Sequence, residues 1–171
     1  MKYQFRKAQL SDADRIWKIL QEAIQKRKEE GSDQWQDGYP NPQVIAQDLD
    51  KDQGFVFTSG DTVVGYCAIA INDEPAYDAI EGTWLTTNDF VVFHRAAISK
   101  DHVGKGLATI LFQYIENYAF ENEIYSIKAD TNFDNKPMLY LFDKLGYVYC
   151  GEVYFRSSPR MAFEKVIQRD L

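Results

Sequence analysis

Two places in this chain have residue types and spacing suited to chemistry. In Ile98-Ser-Lys-Asp-His-Val-Gly-Lys-Gly-Leu-Ala108, Gly104 and Gly106 follow a β-branched and aromatic run, Asp89–Ile98. They precede a helical stripe of Leu107, Ile110, Leu111, Tyr114, Ile115 and Tyr118. Glycines at a strand-to-helix turn leave backbone N–H groups and the positive end of the helix dipole open to phosphate oxygens. A phosphate-bearing ligand is the first expectation. His94, inside the strand-like run, is the second place, because imidazole relays protons near neutrality. No G-x-x-x-x-G-K-[ST] string is present, which sets a P-loop aside. The dinucleotide pattern G-x-G-x-x-G is partly met by Gly104-x-Gly106-x-x-Thr109, with Asp130 where a ribose-binding carboxylate is expected. Against that pattern, Thr109 replaces its third glycine, and Ser99–Val103 separate the strand from the first.

A second segment, Asn135-Lys-Pro-Met-Leu-Tyr-Leu-Phe-Asp-Lys-Leu-Gly-Tyr147, reads as one capped helix. Asp134 or Asn135 caps it, Pro137 suits its first turn, Leu139, Phe142 and Leu145 make its buried face, and Gly146 ends it. Together the two segments resemble the signatures of the GNAT superfamily of N-acetyltransferases. Val103-Gly104-Lys105-Gly106-Leu107-Ala108 matches [RQ]-x-x-G-x-[GA] at every position except the first. Asn135 to Tyr147 resembles the family's second motif, and the strand Ile124–Asp130 lies between the two as it should. From Lys2 to about Val166 the chain resembles one domain of this family, so 1–171 is expected to be a single N-acetyltransferase domain. The implied fold is an α/β (α+β) mixed, mostly antiparallel central sheet flanked by helices.

The resemblance implies acetyl transfer from acetyl-CoA to a primary amine by direct attack on the thioester, without a covalent enzyme intermediate. It places the cofactor against Ala96, Ile98, Val103, Gly104, Lys105, Gly106, Leu107, Ala108 and Asn135. Lys105, with Lys100 and Lys136, adds positive charge, and His102 meets phosphate or solvent. Strand alternation puts His94 on one face with Val92, Ala96 and Ile98, and the family often carries a base there. His94 is thus a candidate base, the alternative being a histidine satisfied by a core hydrogen bond. The family's acid position holds Phe142, which has no proton to give, so Tyr140 or Tyr154 substitutes, or the thiolate leaves unaided. Tyr140 equally reads as a core residue. A non-catalytic acyl-CoA-binding or regulatory module of the same fold stays open as the alternative function.

The elements that must position these groups read β-α-α-β-β-β-α-β-α-β-β. Tyr3–Arg6 opens, a helix runs from Ser11 to a stop at Gly31 with Ile16, Trp17, Ile19, Leu20 and Ile24 inward, and Asn41-Pro42 starts a second. Phe55–Thr58 and Thr62–Ile71 flank a Ser59-Gly60-Asp61 hairpin turn, and Val148–Phe155 and Arg160–Val166 flank Ser157-Ser158-Pro159. Two loops carry more than a connection needs. Gly31–Pro40 holds Trp35 and Tyr39, and Asn72–Asn88 holds Asp73, Glu74, Tyr77, Asp78, Glu81 and Trp84. One reading makes Trp35, Tyr39 and Trp84 the walls of an acceptor pocket with carboxylates for an amine. The other makes the tryptophans lids on the core.

Lysine plus arginine at 19 against aspartate plus glutamate at 26 gives a net charge of −7, which speaks against a nucleic-acid surface and mildly for cationic substrates. No apolar run is long enough to span a bilayer, and Met1–Arg6 lacks a secretory apolar region. Cys67 and Cys150 lie apart in strand-like sequence without metal spacing. The expectation is a cytoplasmic enzyme with reduced thiols and no metal, acting on a small amine or an exposed amino group of a peptide, with a homodimer kept open.

Overall fold

The computed structural model describes residues 3–168. Lys2, where the resemblance begins, lies outside them. The strands are β1 (Tyr3–Lys7), β2 (Gly54–Ser59), β3 (Thr62–Ile71), β4 (Glu81–Gly82), β5 (Val91–Ile98), β6 (Ser126–Thr131), β7 (Val148–Phe155) and β8 (Ser158–Val166). The helices are α1 (Ala13–Glu29), α2 (Pro42–Asp50), α3 (Leu107–Glu121) and α4 (Lys136–Lys144), with single 3-10 turns at Leu10–Asp12, Pro75–Ala79 and Lys100–His102. The strands hydrogen-bond in the order β1-β2-β3-β5-β6-β8-β7-β4. β5 and β6 pair in parallel, Val91 and Val92 against Ile127 and Lys128, whereas β1–β2, β2–β3, β4–β7, β6–β8 and β7–β8 pair antiparallel. The mixed, mostly antiparallel sheet expected from the sequence is present.

The chain forms two compact units: residues 3–69 with Arg95–Tyr114, and Ala70–His94 with residues 115–168. In the first, β2 and β3 alternate their side chains between two apolar clusters. Val56, Val63 and Tyr66 pack with Ile16, Ile19 and Leu20 of α1 and Ile45 of α2. Phe57 and Val64 pack with Leu107, Ile110 and Tyr114 at the start of α3. One face of this part of the sheet thus meets α1 and α2 and the other meets α3, which is why both faces of β3 are apolar.

In the second unit, alternate residues of β8 separate two layers. Phe163 contacts Phe142 of α4, and Ala162 joins Tyr77, Val92 and Val153 under residues 72–90. That segment, here called the strap, crosses the sheet with its own turn at Pro75–Ala79 and the two-residue β4. The sequence reads it as a loop and does not resolve β4. Other boundaries move by a residue or two as well; among them, β5 begins at Val91 rather than Asp89, β6 at Ser126 rather than Ile124, and β8 at Ser158 rather than Arg160. Arg156 and Ser157, both in the left-handed region, make the turn in place of Ser157-Ser158-Pro159.

Local signals hold where a backbone requirement enforces them. Asn135 accepts from the Met138 N–H as cap of α4, and Gly146 ends that helix at φ +84°. Of the inward face expected for α4, only Phe142 is fully buried, while Leu139 and Leu145 are half-buried.

Candidate active site

In the first unit, Gly104 and Gly106 stand at φ +83° and +75° immediately before Leu107, the first residue of α3. These are left-handed conformations that favour glycine, and nothing lies within 4 Å of a Cβ built at either position. Among the described residues, no backbone N–H from Val103 to Gly106 donates to another backbone carbonyl. The loop therefore presents unused donors and open space at a helix N-terminus, which fits a pyrophosphate. Val103 and Lys105 are exposed and Ala108 is half-buried beside it.

The same unit holds a buried ionic network missing from the sequence reading. Arg95 is left-handed at φ +55° in the middle of β5. Its Nη2 and Nε donate to Asp48 Oδ1 and Oδ2 at 2.5 and 3.0 Å, and its Nη1 donates to the Tyr39 hydroxyl at 2.5 Å. Tyr66 donates its hydroxyl to Asp48 Oδ2 at 2.5 Å. Burial, above all, pushes the Tyr66 phenol far up, with Asp48 adding to it. Such a conformation costs on the order of 1–3 kcal/mol for a residue other than glycine, and the fork-shaped contact with Asp48 opposes that cost. Arg95 also corrects the sequence argument about His94. Alternation needs extended backbone at each residue, so it does not carry across Arg95 to put His94 on the face of Ala96 and Ile98.

In the second unit, His94 lies among three groups. Its Nε2 is 2.7 Å from Glu74 Oε2 on the strap, an ion-pair distance when the ring is protonated, and the buried Nε2 makes no hydrogen bond. Its Nδ1 is 3.9 Å from Asp130 Oδ2, the oxygen that also accepts the Tyr77 hydroxyl at 2.6 Å. Burial raises the Asp130 carboxyl above the usual range, against the lowering influence of His94 and of Tyr77. Burial likewise drives the Tyr77 phenol well above its ordinary value, with Asp130 adding to it. Only the dinucleotide pattern, which the sequence itself argues against, would put Asp130 on a ribose. Its position beside His94 and Tyr77 removes that argument for a dinucleotide.

Asp130 belongs to a polar row on β6. Ser126, Lys128 and Asp130 alternate with Ile127 and Ala129, a pattern that ordinarily marks one wet face. Here the strap covers it. Lys128, 4% exposed, holds its Nζ 4.5 Å from the Trp84 ring centroid and 4.2 Å from that of Phe90. Burial lowers the Lys128 pKa, opposed by Glu164 across the strand pair.

The expected residues thus divide between the units. Ala96, Ile98 and the Val103–Ala108 loop lie in the first, with Trp35 and Tyr39; His94, Trp84, Asn135 and Tyr140 lie in the second. Trp35 packs against the α1–α2 core and Trp84 against the core under the strap, where its Nε1 donates to the Tyr77 carbonyl. Tyr140 is 66% exposed, so its core reading does not hold, whereas Phe142 is wholly buried. Tyr154 donates to Glu81 and Glu152, and the hydrogen bond to Glu81 is the main reason its pKa is pushed up to about 12.

The chain matches the Acetyltransferase (GNAT) family over residues 15–147. A GNAT-family acetyltransferase structure from Streptococcus agalactiae is 34% identical, covers 98% of this chain and 96% of its own, and superposes with a TM-score of 0.89. One from Listeria monocytogenes, 19% identical over 96% of this chain and 95% of its own, shares the fold at a TM-score of 0.77. Streptothricin acetyltransferase of Escherichia coli is 29% identical over 96 residues, 55% of this chain. The match spans 53% of that relative's length. None of the described helices is long and apolar enough to cross a membrane. With the family matched across most of its length and the whole fold shared, this chain belongs to the GNAT family of acetyltransferases, whose acyl donor is acetyl-CoA.

Proposed function

We propose that this chain transfers an acetyl group to a primary amine, with His94 accepting the proton of the attacking nitrogen. The observation that carries this reading is the setting of His94, within 2.7 Å of the Glu74 carboxylate and 3.9 Å of Asp130. A lysine-like ammonium has a pKa of about 10.4 and must lose a proton before it attacks. The amine nitrogen bonds to the acetyl carbon, the carbon–sulfur bond breaks, and the amine proton passes to His94, directly or through water. Glu74 then faces the positive ring, and Asp130, held by Tyr77, lies near its other nitrogen. Acetyl-CoA, when bound, supplies the acetyl group as a reactive thioester. Val103, Gly104, Lys105, Gly106, Leu107 and Ala108 hold its pyrophosphate by main-chain N–H groups with Lys105 adding charge. Ala96 and Ile98 offer backbone groups to the pantetheine arm. The β5–β6 register, which stops at Val92, supports that reading because β5 is unpaired with β6 beyond it. Asn135 is part of this proposal through its motif, although its side chain already caps α4.

The acceptor in this reading is a cationic amine, free or on a peptide, drawn by Glu74 and a net charge of −7. Trp84 on the strap, and Trp35 and Tyr39 on the Gly31–Pro40 loop, are its candidate aromatic contacts, each to be tested separately. Exposed Tyr140 is the candidate acid for the leaving thiolate. Cys67 and Cys150, both buried free thiols, support a reducing, cytoplasmic setting. Turnover on a panel of amines, corrected for acetyl-CoA hydrolysis, tests the reading. Acetylation of at least one cationic amine is expected. Acetyl-CoA binding without transfer to any amine would instead establish the acyl-CoA-binding module, which the buried Phe142 at the family's acid position favours.

A further inference from the structure

The strap brings Glu74 to His94 and Tyr77 to Asp130, yet both residues lie on a segment with little regular structure. Something must fix that segment. At its base, Asn72 closes the two ends: its backbone N–H donates to the Phe90 carbonyl, and its side chain accepts from the Phe90 N–H and donates to Asp89. In the middle, Gly82 crosses Gly151 of β7 so closely that a Cβ on Gly82 would fall 2.1 Å from the Cys150 carbonyl oxygen. Toward its end, the strap meets one buried carboxylate at several points. Glu164 of β8, 0% exposed, accepts from the Leu85 N–H at 3.0 Å, the Thr86 N–H at 3.4 Å and the Thr86 hydroxyl at 2.7 Å. Ser126 of β6 donates to the same carboxylate at 3.2 Å. A buried carboxylate with this many donors is held in one position, and it holds its donors there in turn. Lys128, its register partner on β6, carries Trp84 and Phe90 over its ammonium. Trp84 passes the constraint on by donating to the Tyr77 carbonyl.

We propose that Glu164 is a positioning residue for acetyl transfer, fastening the strap at Leu85 and Thr86 and so keeping Glu74 against His94 and Tyr77 against Asp130. The proposal rests on the His94 reading for its effect on catalysis, but its effect on geometry is separate.

The test uses the full chain with Glu164→Gln, Glu74→Gln and the double variant, with steady-state kinetics and the imidazole NMR resonances of His94. Glutamine keeps the volume but puts a donor where two oxygens accept. Glu164→Gln is expected to lower kcat/KM for the amine about tenfold with the acetyl-CoA KM unchanged, and to move the His94 resonances. The double variant should lose less than the product of the two single losses, because part of what Glu164 does runs through Glu74. Unmoved His94 resonances, or losses that multiply in the double variant, would overturn the positioning role. Should Glu164→Gln fail to fold, Thr86→Val removes the hydroxyl donor alone and must move the same resonances. A Glu74→Gln enzyme with normal turnover would instead refute the His94–Glu74 reading, while the resonances still decide the role of Glu164.

Discussion

Asp48 and Asp130 are both carboxylates set beside a cationic or potentially cationic side chain, and their surroundings differ in kind. Asp48 meets a guanidinium, which stays charged throughout the accessible pH range, through a two-point contact, with Tyr66 on one of the same oxygens. Asp130 meets an imidazole at 3.9 Å, too far for a hydrogen bond, and shares its Oδ2 with Tyr77. The first arrangement satisfies its charges and holds a left-handed residue within a strand. The second leaves a titratable ring between two carboxylates, with burial raising Asp130. A network closed on a permanent cation suits a lock; one built on a group that gains and loses a proton suits acid–base work.

The largest effect that would break this contrast is on stability. Asp48→Ala leaves the buried Arg95 charge without its counter-ion and the Tyr66 hydroxyl without its acceptor, and should cost about 3–5 kcal/mol. Thermal unfolding should then shift down by roughly 10 °C for a chain of this size. A shift of only a degree or two would show that Arg95 does not depend on Asp48. The phosphate loop of the same unit should behave in the opposite way. Gly106→Glu puts a carboxylate against the expected phosphate and a side chain at φ +75°, so acetyl-CoA affinity should fall by more than tenfold, against a backbone cost of about 1 kcal/mol. Unchanged affinity in the folded variant would remove the loop from the cofactor site.

Smaller, and specific to the second network, is a dependence on pH. Because the folded-state pKa of Asp130 is raised, the native chain binds more protons than the unfolded chain between the ordinary aspartate value of about 3.9 and that raised value. Its contribution to stability is therefore largest at low pH and is lost as pH rises through that window. Asp130→Asn should flatten this slope and change neutral-pH stability by less than about 1 kcal/mol, since a neutral amide has no buried charge to carry. Melting temperatures of both proteins from pH 3 to pH 7 check this; an unaltered slope would refute it. Smallest are the acceptor effects. Trp84→Ala and Trp35→Ala should each raise the amine KM several-fold with little change for acetyl-CoA, in keeping with about 0.5–2 kcal/mol per aromatic–cation contact. Equal losses for both substrates with lower melting temperatures would make them core residues only.

How much of this was legible follows from the range of the forces involved. Gly104, Gly106, Gly146 and Asn135 were readable because each answers a local backbone requirement, and the structure gives each the conformation or hydrogen bond expected. His94 was readable as a residue type but not by its neighbours. Glu74 is twenty residues before it in sequence, within a loop that could be recognised as overlong but not folded from local rules. Ser126, Lys128 and Asp130 alternate with apolar residues as on a solvent-facing strand, and only the strap shows that this face is covered. Arg95 gave no sign at all. Its side chain is ordinary for an exposed strand position, and the left-handed backbone becomes tolerable only once α2 delivers Asp48.

The division of labour between the two networks rests most directly on His94. Its replacement by alanine should be measured in one preparation for kcat with a turned-over amine, for acetyl-CoA affinity and for melting temperature. The account predicts a kcat lower by about 10²–10⁴-fold, with affinity and melting temperature close to those of the parent chain. A folded His94→Ala protein that keeps most of its turnover would contradict it and leave the ring as a packing residue beneath the strap.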